Sequence, residues 1–110
     1  MQSLEVIDIM TSFLKRKRPP AALRGNVDLD YRIEGQSLFI FEIRPVFNAP
    51  GKTMESAIAK ATFVKSHNYW KVFWKRADLK WHSYPYQPVV LTIREFVVLV
   101  ERDQYHCFWG

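Results

Sequence analysis

The densest mixture of charged and aromatic side chains in the sequence lies in one stretch, residues 69–84, which reads Tyr-Trp-Lys-Val-Phe-Trp-Lys-Arg-Ala-Asp-Leu-Lys-Trp-His-Ser-Tyr. Cations bind phosphates and rings stack on bases, so cations interleaved with rings suit nucleic acid. In extended backbone Arg76, Asp78, Lys80 and His82 project from one face, and Ala77, Leu79 and Trp81 from the other. Lys60, Lys65, Lys71 and Lys75 belong to the same predicted hairpin. The residues expected to bind a partner are therefore Lys60, Lys71, Lys75, Arg76, Asp78, Lys80, Trp81 and His82. Asp78 interrupts the basic row and is expected to pair with Arg76 or Lys80. Strand alternation sets Lys71 and Lys75 opposite Arg76, so one flat surface does not hold all the cations. The competing expectation is that Trp70, Trp74 and Trp81 fill a core while the lysines form a solvated face.

Other constellations carry less. Asp28 and Asp30 share a strand face, and Glu42 falls opposite Asp28 if the hairpin loop has three residues. With Arg44 two residues on, this resembles the D…E-x-K core of restriction-endonuclease-like nucleases, whose carboxylates hold a divalent cation. Arg44 stands where that family has lysine, and the alternating helix of that fold is missing. Cross-strand pairing of Asp30 and Glu42 with Arg32 and Arg44 accounts for the same residues. Gly51-Lys52-Thr53 has the ending of a phosphate-binding loop, but Val46 stands where the pattern needs its first glycine. Asp103, His106 and Cys107 lack a second ligand pair at metal-binding spacing. No catalytic residue, metal or cofactor is expected.

These side chains must be positioned by a small framework. The chain has 110 residues, 48% hydrophobic and 25% charged, which predicts a single domain over 1–110 with one core. The lone cysteine, Cys107, excludes an intrachain disulfide and fits a reducing compartment. No secretory leader is evident at the N-terminus, and the longest apolar run, Phe96–Val100, is far short of a membrane span. A cytoplasmic location with no membrane partner is expected. The net charge of +5 is uneven: cations are in excess over 45–92, acids over 27–44.

A helix is predicted over 3–17, capped by Ser3, carrying Val6, Ile7, Met10, Phe13 and Leu14 on one face and stopped by Pro19-Pro20. Strands are predicted over 26–33 and 37–44, joined at Glu34-Gly35-Gln36, and over 57–65 and 69–76, joined at Ser66-His67-Asn68. In the three-residue register, Val27, Leu29 and Tyr31 share a core face with Phe39, Phe41 and Ile43, joined by Ala59, Ala61, Phe63 and Phe73. The fourth strand can run on through 82 until Pro85 and Pro88 break it. A second helix is predicted over 93–103, with Thr92 and Glu95 as a capping box and Ile93, Phe96, Val97 and Val100 facing inward. The tail Cys107-Phe108-Trp109 is expected to dock. The predicted class is α+β: a four-stranded antiparallel meander sheet with an N-terminal and a C-terminal helix on one face.

The runs Arg18-Pro19-Pro20, Asp28-Leu29-Asp30-Tyr31-Arg32-Ile33-Glu34-Gly35, Phe41-Glu42-Ile43-Arg44-Pro45, Ala59-Lys60-Ala61-Thr62 and Arg76-Ala77-Asp78-Leu79-Lys80-Trp81-His82 occur in that order, as does the ending Cys107-Phe108-x-Gly110. Together they resemble a family of small bacterial proteins catalogued only as a domain of unknown function. The resemblance spans nearly the whole chain and is most specific at Arg76–His82. It implies a bacterial source and a stand-alone domain, and no activity. The expected role is binding of an acidic partner, nucleic acid or an acidic protein, through the 60–82 hairpin. The alternatives are a metal-dependent hydrolase using Asp28, Asp30 and Glu42, and a protein-interaction module in which the aromatics form a homodimer surface.

Overall fold

The computed structural model of the chain describes residues 4–18 and 27–109. Ser3, Pro19-Pro20 and Gly110, cited above as cap, helix stop and chain end, lie outside the described residues. The helix α1 (Leu4–Lys17) buries Val6, Ile9, Met10 and Phe13. Ile9 thus takes the inward position expected of Ile7, which is 37% exposed.

Two long hairpins follow. β1 (Asp28–Glu34), β2 (Ser37–Pro45), β3 (Thr53–Val64) and β4 (Tyr69–Lys75) are antiparallel neighbours in that order. The fifth position is shared. β5 (Trp81–Ser83) pairs with one half of β4 and β6 (Val89–Val90) with the other. Between them Val72 N–H donates to the Pro88 carbonyl, and Tyr84 N–H donates to the Val72 carbonyl. The sheet therefore exceeds the expected four strands, because its edge is completed by two short pieces divided at Pro85–Pro88. Prolines are tolerated there, where one side of the strand needs no donor.

The β1–β2 register differs from the expected one. Gly35 and Gln36 alone form the loop, Glu34 pairs with Ser37, and Ile33 pairs with Leu38. Gly35 supplies the positive φ of +58° that a two-residue hairpin turn requires at its first central position. A one-residue slip exchanges every side chain on β2 between faces. Leu38 and Ile40, not Phe39, Phe41 and Ile43, therefore share the face of Leu29 and Tyr31, although Phe41 is buried on the opposite side at 6% exposure. On β4 the helix-side residues are Trp70, Val72 and Trp74, so Phe73 also faces away. Of the predicted core, Leu29, Tyr31, Ala59, Ala61 and Phe63 keep their expected side.

The helix α2 (Ile93–Arg102) closes the core with Ile93, Phe96, Val97 and Val100, as the capping pattern predicts. Thr92 is extended, and its hydroxyl accepts from Glu95 N–H; the Glu95 carboxylate in return accepts from Leu91 N–H at 3.2 Å. Burying each of these four apolar side chains stabilises the fold by about 1.5–3 kcal/mol. Arg16 on α1 pairs with Glu101 on α2, and Arg18 forks onto Asp28 of β1 at 2.9 and 2.7 Å.

The C-terminal tail docks. Asp103, 7% exposed, ends α2 in the left-handed conformation, and its carboxylate accepts from Phe108 N–H at 3.0 Å and Trp109 N–H at 2.9 Å. The Trp109 indole N–H donates to the Val100 carbonyl at 2.8 Å. Phe108 is buried against Tyr84. No helix among the described residues is long and apolar enough to cross a membrane.

Candidate functional site

Both helices pack on one side of the sheet, and the opposite side carries a pattern fixed by strand register. Directly paired residues point the same way. Arg32 pairs with Phe39, Phe39 with Lys60, Lys60 with Phe73, and Phe73 with Ser83. One row perpendicular to the strands thus reads cation, ring, cation, ring, hydroxyl. Lys75 and Trp81 form a pair on the same face beside it.

The side chains of this row touch. The Lys60 ammonium lies 5.0 Å from the Phe73 ring centre, 5.6 Å from Phe39 and 5.8 Å from Trp81. The Lys75 ammonium lies 5.1 Å from Trp81, and the Arg32 guanidinium 4.9 Å from Phe41. All fall within the roughly 6 Å over which a ring quadrupole attracts a cation. Phe39 and Trp81 meet at 6.0 Å. Arg32, Phe39, Phe41, Glu55 and Lys75 border a shallow groove of about 270 Å³ on this face.

Charge divides the face in two. Arg32 is bound by Glu55 at 2.9 Å and lies near Glu34. Lys60, Lys71 and Lys75, from β3 and β4, have no carboxylate partner among the described residues. The positive half is therefore the β3–β4–β5 half.

Of the residues expected to bind, the fold brings Lys60, Lys71, Lys75 and Trp81 to this face. Arg76 leaves it: its guanidinium lies over Trp74, on the helix side, which keeps the predicted opposition to Lys71 and Lys75. His82 pairs with Trp74 and faces the same way. The expected extended row from 76 to 82 does not form. Arg76 N–H donates to the Lys80 carbonyl, Leu79 N–H donates back to the Arg76 carbonyl, and Leu79 has a φ of +63°. Residues 76–80 are the turn of the β4–β5 hairpin. Asp78 closes it, accepting from Lys80 N–H at 2.9 Å and contacting His82 Nε2 at 2.8 Å. These bonds, the backbone one first, hold its carboxyl below the usual carboxylate range. Asp78 pairs with His82 rather than with the Arg76 or Lys80 side chain because the turn points its carboxylate along the hairpin.

Trp70 is buried, Trp74 packs partly against the core and Trp81 lies on the outer face, so the tryptophans divide between the two expectations. Sequence reasoning placed Phe39 and Phe73 in the core rather than on this face, and it set Arg32 on the solvent side without counting it among the binding residues. The available signal was the alternation Leu38-Phe39-Ile40-Phe41, aliphatic against aromatic.

The other constellations disperse. Glu42 pairs with Leu29 and so faces away from Asp28 and Asp30. Its carboxylate binds Arg44 at 2.7 Å, while Asp28 binds Arg18. Among the described residues no three His, Cys, Asp or Glu side chains gather as a metal site. Asp103 is used by the tail. Burial, with Asp103 second, pushes the Cys107 thiol up, away from a reactive thiolate.

Residues 1–110 match the model of the family described as Domain of unknown function (DUF3024). The chain belongs to that family. No curated protein and no solved structure matches it. In this DUF3024 chain residues 76–80 form a hydrogen-bonded turn, and the ring and cation row lies beside it.

Proposed function

We propose that this protein is a binding module that takes single-stranded nucleic acid on the outer face of its sheet. The observation that carries the proposal is the row Arg32–Phe39–Lys60–Phe73–Ser83 with the Lys75–Trp81 pair beside it. Bases stack on rings whatever their sequence, and each such contact is worth about 1–3 kcal/mol. Phosphates take the lysines. Lys60 and Lys75 hold their ammonium groups over rings, so an arriving strand exchanges a cation–ring contact for a charge-assisted hydrogen bond to phosphate and frees the ring for a base. A flat face of rings suits unpaired bases better than a duplex, whose bases stack on one another.

Fluorescence anisotropy with short single- and double-stranded oligonucleotides at low and moderate salt tests this. Single strands are expected to bind more tightly, with affinity falling steeply with salt as counterions are released. Trp81→Ala and the pair Lys60→Ala, Lys75→Ala should each weaken binding about tenfold or more, while Arg76→Ala has little effect. An absence of binding at low salt overturns the proposal. Sedimentation showing a dimer that Trp81→Ala dissociates would assign the same face to self-association instead.

A further inference from the structure

A second cavity lies on the other side of the molecule, outside the ring and cation row. It has a volume of about 440 Å³ and is enclosed by one flank of α2, the 84–87 segment and residues 104–105. That size matches a small-molecule site.

Its α2 wall is a stripe, Arg94, Val98 and Arg102, spaced four residues apart and hence aligned on one helix face. Val98, one turn from each arginine, is 39% exposed. Neither arginine has a carboxylate partner among the described residues. Arg94 stands in the first turn, where the helix dipole disfavours a cation, so its own helix does not account for it. Glu95, which also borders the cavity, is held at the helix cap by Leu91 N–H.

The facing wall is aromatic. Phe108 meets Tyr84 at 4.9 Å, Tyr84 meets Tyr86 at 5.5 Å, and Tyr86 stacks on Tyr105 at 3.6 Å with their planes 9° apart. This ladder runs from buried Phe108 and Tyr84 out to Tyr86 and Tyr105, which are 56% and 46% exposed. Its inner rungs are fixed by the core and the docked tail, so the outer rungs are presented on a rigid support. Gln87 and Gln104 add amide groups at the rim.

We infer that this cavity binds a small aromatic anion, its ring against the Tyr86–Tyr105 stack and Val98, its carboxylate or phosphate on Arg94 and Arg102. The volume admits one ring system, Val98 supplies an apolar floor, and the unpaired guanidinium groups supply two planar forks for an oxyanion.

The test is a backbone amide NMR titration of the full chain with phenyl phosphate and benzoate, with phenol and inorganic phosphate as separate arms. Phenyl phosphate or benzoate should give saturable shifts confined to 84–87, 94–102 and 104–105, in the millimolar range expected of so small a ligand. Phenol and inorganic phosphate, each lacking half of the required chemistry, should bind about tenfold more weakly or worse. Arg94→Ala with Arg102→Ala, both solvent-facing and compatible with folding, should abolish the shifts, and Tyr105→Leu should weaken them. Absence of saturation, shifts that map instead to Phe39, Lys60 and Trp81, or unchanged titration in the double variant overturns the assignment.

Discussion

One face of the sheet mixes aliphatic side chains with rings and is covered by both helices; the other carries rings and cations and is covered by neither. Leu38, Ile40, Ala59, Ala61 and Val72 are fully buried beneath α1 and α2, where branched and small side chains interdigitate with Met10, Phe13, Phe96 and Val100. Across the same backbone, Phe39, Phe73 and Trp81 are half-buried among themselves and under Lys60 and Lys75. The difference shows that alternation along a strand need not separate apolar from polar. Here it separates side chains that pack against helices from rings over which lysine ammonium groups lie. The first kind gives fixed packing. The second leaves flat rings that a partner can reach once a lysine moves aside.

The comparison can be broken by truncating a ring on each side. Phe96→Ala, on the covered side, should cost about 3–5 kcal/mol in denaturant unfolding. Phe73→Ala should cost less than about 2 kcal/mol, since its ring keeps one side in solvent. Equal losses would mean that the outer face is a core in its own right. Next in size is Asp103→Ala, which leaves Phe108 and Trp109 amides without their acceptor; a loss of about 1–3 kcal/mol is expected, with greater Trp109 fluorescence quenching by iodide. Asp103→Asn, which keeps one acceptor, should lose less. At the hairpin tip, Leu79→Gly should raise stability by about 1 kcal/mol, because leucine is held at a positive φ that glycine adopts freely. Last comes pH. Asp78 has a folded-state pKa below its ordinary value of 3.8, so its contribution is present above that value and is lost as pH falls through the lower, folded one. Lys80 amide exchange should quicken in that acid window while amides of α2 do not, and Asp78→Asn should remove the effect.

Much of the framework was legible because single signals controlled it. Thr92, Glu95 and four inward apolar residues mark α2 against the strand propensity of Phe96–Val100, and Ser66-His67-Asn68 marks a turn between two strong strand patterns. The β1–β2 register was not legible. Leu38 through Ile43 offers an apolar residue to both faces except at Glu42, so burial does not choose between a two- and a three-residue loop; Gly35 does, through turn geometry. The 76–80 turn was hidden for another reason. Arg-Ala-Asp-Leu-Lys contains neither glycine nor asparagine, and the left-handed position falls on Leu79, a residue that seldom takes it. Asp78 was the available cue, since aspartate bonds to a backbone amide two residues on. The candidate site shifted accordingly: Lys60, Lys71, Lys75 and Trp81 stayed, Arg76 and His82 lie on the far side, Phe39 came from the predicted core with the β1–β2 register, and Phe73 came with the β3–β4 turn, which pairs Val64 rather than Lys65 with Tyr69.

The position of β1 has a further consequence. It ends the sheet order, and among the described residues it pairs with β2 alone. A strand with one unpaired row of amides and carbonyls is a template on which another chain can add, the first step of a fibril. β1 carries Asp28, Asp30, Arg32 and Glu34 at every second position. An incoming copy running antiparallel and centred on Tyr31 would set Asp28 against Glu34 twice over and Asp30 against Arg32 twice over, so repulsive and attractive pairs offset each other in that register. What blunts this edge is then the water that four charged side chains at alternate positions would have to shed before a second strand could pair with it.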